Sequence, residues 1–187
     1  MQIRAATPAD LAMIPEIDAT IESSQYLHLD ITGEGMALNL KLEPRPMRSK
    51  LIQSNPLGDE QSFTIKQIIG GAFEGTALVA EHDGTLVGLA IAQPRHELGT
   101  LHLVDVRVDS DFRRQGLATA MVYQLINAAR ENELRAVSAE TSANNFPANQ
   151  MLQKLGFDMS GLDTKRHTNH DVVKEMTTIL WYAALDK

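Results

Sequence analysis

Arg113, Arg114 and Gly116 stand in the segment VRVDSDFRRQGLATAM, Val106 to Met121, where a strand-like run hands over to one with helical spacing. A helix opening at Gly116 leaves its first backbone N–H groups without internal acceptors, and their aligned dipoles place about half a positive charge there. That end attracts anions. Two guanidinium groups suit bidentate contact with phosphate, and a glycine lets an oxyanion approach the backbone closely. The pattern points to a phosphate or pyrophosphate ligand, while paired arginines in a surface turn also serve simply as solvated charge.

Such a turn needs a strand before it and a helix after it. Leu101–Val108 (LHLVDVRV) reads as the strand, and Gly116–Glu131 as the helix, with Leu117, Met121, Leu125 and Ala128 on one face. Upstream, Met1–Ala6 reads as a short strand, with Thr7-Pro8 opening a helix that reaches about Ala19. From Ile21 to Gly75 the pattern is irregular. ITGEGMALNLKL suggests a helical piece, EPRPM and SNPLGDEQS suggest loops, and FTIKQIIGG a short helix. So long a connection usually carries structure or function, and a lid or substrate-side insertion is expected. TALVAEHDGTLVGLAIAQP reads as two strands around His82-Asp83-Gly84, the Asp-Gly step suiting a tight hairpin.

Downstream, LRAVSAET reads as a mostly buried strand. Asn145–Leu155 reads as a helix capped by Asn144 or Asn145, with Pro147 in its first turn, Gly156 as its stop, and Ala148, Met151, Leu152 and Leu155 toward a sheet. GFDMSG and EMTTILWYAAL read as two closing strands on either side of a polar stretch. This order indicates an α+β or α/β sheet with helices on its faces.

Composition narrows the chemistry. The chain has 187 residues, 43% hydrophobic and 22% charged, which fits one globular domain. The absence of cysteine excludes disulfides, thiolate metal sites and cysteine nucleophiles. A formal charge of −7 argues against a nucleic-acid partner, whose affinity rests on cationic neutralisation of phosphates. No run of about 18 apolar residues and no secretory leader is evident, so a soluble, cytoplasmic protein with no membrane partner is expected.

Arg113-x-x-Gly116-x-Ala118, set between the strand ending at Val108 and an amphipathic helix, resembles the pyrophosphate-binding motif of the GNAT superfamily of acetyl-CoA-dependent N-acetyltransferases. A second family segment follows in order, Asn145-Phe-Pro-Ala148 and then Lys154-Leu-Gly156-Phe157. The resemblance is close from Thr76 to Phe157 and looser over the first strand and helix. It implies a single domain over residues 1–187, with 21–75 as a substrate-side insertion. The implied fold is α/β (α+β): a mixed, mostly antiparallel central sheet, splayed between its fourth and fifth strands, with helices on both faces. Acetyl-CoA is the implied cosubstrate, its pantetheine arm lying between the Leu101–Val108 and Leu134–Thr141 strands. Backbone amides of Val106, Arg107 and Val108 would face the thioester. Arg113 and Arg114, with the amides of Gln115, Gly116, Leu117, Ala118 and Thr119, would hold the pyrophosphate, and Asn145 and Ala148 come from the second motif.

An attacking amine must be neutral, whereas most primary amines are protonated at pH 7, so a base is useful. The resemblance makes Glu140 the leading general base, by its match to a glutamate in members that acetylate ribosomal-protein amino termini. His102 and Asp105 are rivals, because other members draw a base from that strand. Where many members carry a tyrosine that protonates the leaving thiolate, this chain has Leu152, which cannot donate a proton. Tyr182 in the last strand is a candidate substitute, and core packing an equally simple role for it. His167 and His170, three apart on a polar loop, read as solvated rather than as metal ligands.

ETSANNFPANQMLQKLGF, followed by GLDT and later by Glu175, Trp181 and Tyr182, is similar to the streptothricin acetyltransferase branch. The expected activity is acetyl transfer to a primary amine of a small molecule or peptide. The acceptor pocket is expected from residues 21–75 and the His167–Glu175 loop, and a homodimer is left open. A catalytically weak acyl-CoA-binding or sensing module is the alternative. A different phosphate-ligand protein is a third reading, although neither GxxxxGK[ST] nor GxGxxG occurs.

Overall fold

A computed structural model describes residues 1–185. Its elements run β1 (Gln2–Ala5), two 3-10 turns (Pro8–Ala12 and Ile14–Glu16), β2 (Ile21–Glu34), β3 (Ala37–Gln53), α1 (Asp59–Ile69), β4 (Thr76–His82) and β5 (Thr85–Arg95). Then follow β6 (Thr100–Val108), a 3-10 turn (Ser110–Phe112), α2 (Leu117–Glu131), β7 (Ala136–Ser142), α3 (Phe146–Lys154), β8 (Asp158–Asp163) and β9 (Thr178–Ala184). The chain divides into two compact units. One comprises Met1–Thr20, Ser54–Ala139 and the chain from Ala183; the other comprises Ile21–Gln53 and Glu140–Tyr182. The result, among the described residues, is a mixed α/β fold with a mostly antiparallel sheet and three α-helices.

In the first unit the strands lie in the order β1-β4-β5-β6-β7. All neighbours are antiparallel except β6 and β7, which pair in parallel at Thr100–Ala136, Leu101–Val137 and His102–Ser138. The β4–β5 turn is the expected one, with Asp83 at φ 48° and Gly84 at φ 80°. Val79, Leu89 and Ile91 pack on one face with Ile14, Ile17, Ile65 and Ile68 from the 3-10 turns and α1. Because side chains alternate along a strand, Ala80 and Gly88 face the other way, toward α2. A Cβ on Gly88 would stand 3.0 Å from Met121 Cε, so an alanine here would require the methionine end to shift by a few tenths of an ångström.

The expected helix from Pro8 to Ala19 is instead two 3-10 turns. The start signal is real, since the Asp10 carboxylate accepts the Thr7 backbone N–H at 2.7 Å and its hydroxyl at 2.9 Å. Pro15 has no N–H to donate, and this ends helical propagation.

In the second unit, β2 and β3 form a separate two-stranded antiparallel sheet, while the end of β7, β9 and β8 are neighbours in that order in the other sheet. The helical piece expected in ITGEGMALNLKL is therefore strand, as is EPRPM within β3. Leu29 pairs with Leu42 and Ile31 with Leu40, a two-residue period that puts apolar side chains on one face. Pro44 and Pro46 are tolerated because each strand of a two-stranded ribbon has an outer edge that needs no donor. Leu27 and Leu29 are buried, and Leu27 donates its backbone N–H to Ala143 at 3.0 Å.

Candidate active site

The mouth of α2 is built by the turn that follows β6. Asp109 opens it, its carboxylate accepting the Asp111 N–H at 3.1 Å while its own N–H donates to Val87 at 2.9 Å. Arg113 then folds back. Its Nε donates to the Val108 carbonyl at 3.0 Å, and its Nη atoms donate to the carbonyls of Thr20 and Asp18. All three of its nitrogens are thus engaged with this turn and its neighbour. Arg114 is exposed and takes φ 60°, and Gly116 takes φ 80°. Left-handed residues in such a turn cup the backbone N–H groups into a concave anion receptor.

The first helical bond of α2 runs from the Ala120 N–H to the Gly116 carbonyl at 2.9 Å. The amides of Leu117, Ala118 and Thr119 precede it and have no acceptor within the helix. Gly116 supplies no side-chain cap, and no acidic residue lies in the first turn. A helix end with its own carboxylate would be neutralised; this one has none and its positive end is left uncompensated by its own first turn. A Cβ on Gly116 would meet no protein atom within 4 Å, so the protein requires glycine here for its φ and not for packing. The buried stripe Leu117, Met121, Val122, Leu125, Ile126 and Ala129 fixes the helix direction. Ala128, expected on this stripe, is only half-buried, and Val122, Ile126 and Ala129 widen it.

On β6, Asp105 and Arg107 share a face and form a buried bidentate pair, with Arg107 Nη2 at 3.0 Å from Asp105 Oδ1. Gln61 donates to the same oxygen at 2.9 Å, and Arg107 Nη1 donates to the Asn55 carbonyl at 3.3 Å. Held by three donor bonds, this carboxylate is a firm anchor for the segment leading into α1. A cavity of about 190 Å³ adjoins this cluster, lined by Pro15–Thr20, Ser54–Pro56 and Arg107. A larger one, about 260 Å³, lies near Ala128–Asn132 at the far end of α2, away from the turn. His102 Nδ1 lies 3.1 Å from Ser138 Oγ across the short β6–β7 pairing. Val106 and Val108 alternate with this cluster along β6.

In the second unit, Glu140 precedes the α3 turn, with 28% of its side chain exposed and Oε2 accepting from Arg166 at 2.7 Å. Asn145 caps α3, its Oδ1 accepting the Ala148 N–H at 3.4 Å. Leu152 is 2% exposed and packs in the core, where no proton could leave it. Tyr182 is half-buried on β9, opposite Asp158. The residues that sequence reasoning missed are Thr141 and Asn149, which meet Trp181, noted from the sequence only as part of the tail's resemblance. Trp181 Nε1 donates to Thr141 Oγ1 at 2.7 Å and to Asn149 Oδ1 at 3.2 Å. Asn149, fully buried, donates to the Ser142 carbonyl at 2.9 Å. This network fixes the strand end beside Glu140. A buried asparagine at a helical core position was the available signal.

No helix among the described residues is long and apolar enough to cross a membrane. The model of the Acetyltransferase (GNAT) family matches residues 43–157. Streptothricin acetyltransferase of Streptomyces lavendulae is 24% identical over 163 residues, covering 87% of this chain and 84% of the relative. N-acetylaspartate synthetase of Danio rerio is 36% identical over 90 residues, covering 48% of this chain and only 32% of the relative. A putative streptothricin acetyltransferase from Bacillus anthracis, solved with acetyl coenzyme A, superposes with TM-score 0.79 at 19% identity, over 99% of this chain and 97% of the other.

Proposed function

The chain belongs to the GNAT acetyltransferase family, and from that premise we propose that it transfers an acetyl group from acetyl-CoA directly to a primary amine. The observation that carries the reading is the uncapped mouth of α2, with no acid in its first turn and a left-handed glycine at its rim. The amides of Gln115, Gly116, Leu117, Ala118 and Thr119, with the Arg114 guanidinium, fit the diphosphate of the cosubstrate. Arg113 holds the turn in shape. Backbone groups of Val106, Arg107 and Val108 flank the acyl arm in this reading, and Asn145 and Ala148 are the candidates that the second motif adds. When bound, acetyl-CoA supplies an electrophilic thioester carbonyl.

Glu140 is the general base of this reading, with its carboxylate taking a proton from the acceptor ammonium. The freed lone pair forms the new C–N bond as the C–S bond breaks, the second nitrogen proton passes through water to the departing thiolate, and Glu140 returns its own proton to water. The leaving thiolate, of ordinary thiol acidity, departs without a dedicated acid. Asp105, clamped by Arg107 and Gln61, serves as a positioning residue, and His102 and Tyr182 remain secondary candidates. An acidic chain raises the local concentration of a cationic acceptor. Streptothricin is the first acceptor to test, because the Streptomyces lavendulae relative that matches along most of both chains carries that name.

The test is thiol release from acetyl-CoA against streptothricin, aminoglycosides, polyamines and amino-terminal peptides. Glu140→Gln should lower kcat on the best acceptor by about a hundredfold at neutral pH, the usual worth of a general base. That deficit should narrow at high pH, where the amine is already neutral. A wild-type rate and pH profile would remove Glu140 from the mechanism, and binding of acetyl-CoA without turnover of any amine would favour a sensing module.

A further inference from the structure

We propose that Arg166 occupies, on Glu140, the place of the acceptor's own cation, and that binding exchanges one positive partner for the other. This rests on the reading of Glu140 as the base. The contact is a 2.7 Å charge-assisted bond from Arg166 Nη2 to Glu140 Oε2. The backbone on both sides of Arg166 is pinned. The Lys165 N–H donates to Asp163 Oδ1 at 2.9 Å, and the His167 N–H to Asp171 Oδ2 at 2.9 Å. Thr168 adds its N–H at 2.8 Å and its hydroxyl at 2.7 Å to Asp171. Asp171 is wholly buried, and these donors, His167 first, hold its carboxyl below the usual carboxylate range. The loop thus presents Arg166 from a fixed base while its side chain stays 48% exposed, against 28% for Glu140.

The magnitudes favour exchange over a structural role. A buried ion pair would be costly to break, whereas a solvent-exposed pair holds its partners only weakly. Arg166 can therefore swing into water at little cost and leave the carboxylate to an ammonium that makes an equivalent bond. A neutral amine gains no such bond and does not compete well. The pair accordingly selects acceptors that arrive protonated, and hands the proton-bearing nitrogen to the group that must take its proton.

The experiment uses the full chain and whichever amine of the panel is acetylated fastest. Arg166→Gln should lower KM for that acceptor about two- to fivefold, the range set by an exposed pair, with thermal stability unchanged. Lys165→Gln removes the same charge one residue away and should leave KM within error. In the Glu140→Gln background, Arg166→Gln should lose its effect on KM, because the competition acts through that carboxylate. An unchanged KM in Arg166→Gln, or an equal fall in Lys165→Gln, overturns the exchange and leaves Glu140 as the base. Wild-type turnover by Glu140→Gln, or no acetylation of any amine, overturns the underlying reading and the exchange with it.

Discussion

Arg113 Nε donates to the Val108 carbonyl at 3.0 Å, tying the turn before α2 back to the end of β6. With its Nη atoms on the carbonyls of Thr20 and Asp18, this arginine braces the turn, while its neighbour Arg114 stays exposed. The two should separate on mutation. Arg113→Ala loses bonds from a charged donor and should cost about 1–3 kcal/mol in thermal unfolding, with a raised KM for acetyl-CoA as the turn loosens. Arg114→Ala should leave stability within about 0.5 kcal/mol and still raise that KM severalfold. Equal losses of stability in both variants would contradict this division.

The acid limb of stability should depend on Asp10. Arg4 makes a bidentate pair with its buried carboxylate at 2.8 Å on each oxygen, and Thr7 adds two more donors. The Arg4 bonds, chiefly, hold the Asp10 carboxyl well below the usual carboxylate range. A depressed folded-state pKa stabilises above the unfolded value of about 4, and that contribution fades as pH falls below it. Asp10→Asn should therefore destabilise by about 2 kcal/mol at pH 7, discounted because Arg4 is partly exposed, with the gap closing toward pH 2. A constant gap across that range in denaturant melts would argue against the linkage.

Within the second unit, the Thr141–Asn149–Trp181 network predicts unequal costs. Asn149→Ala strips the acceptor from Trp181 and the donor from the Ser142 carbonyl, and should cost about 3 kcal/mol. Trp181→Phe keeps only part of the ring packing and removes the Nε1 donor, and should cost about 2 kcal/mol. Melting curves of the two variants check the order, and a larger loss for Trp181→Phe would show that ring packing, not the network, holds the strand end.

What the sequence made legible was local. Asp83-Gly84, Asn145 with Pro147, and the apolar stripe of α2 each carry their signal within a few residues, and each formed as expected. The β2–β3 hairpin was misread although Leu38, Leu40 and Leu42 alternate, because Gly33, Gly35, Pro44 and Pro46 look like breakers until the partner strand is known. Strand pairing is non-local, so the pattern alone could not say that both prolines would lie in a two-stranded ribbon. The glycine-opened mouth of α2 was readable for the same reason the helix itself was. The inward turn of Arg113 and the Arg166–Glu140 pair were not, since both depend on residues far away in the chain.

The most direct test of the account is calorimetric binding of acetyl-CoA to Thr119→Glu. Thr119 is exposed in the first turn of α2, where a carboxylate should stabilise the helix by about 0.3–1 kcal/mol while occupying the charge that the diphosphate needs. The account predicts a slightly higher melting temperature together with at least a tenfold weaker affinity. Unchanged affinity in that more stable variant would mean that the mouth of α2 does not hold the cosubstrate.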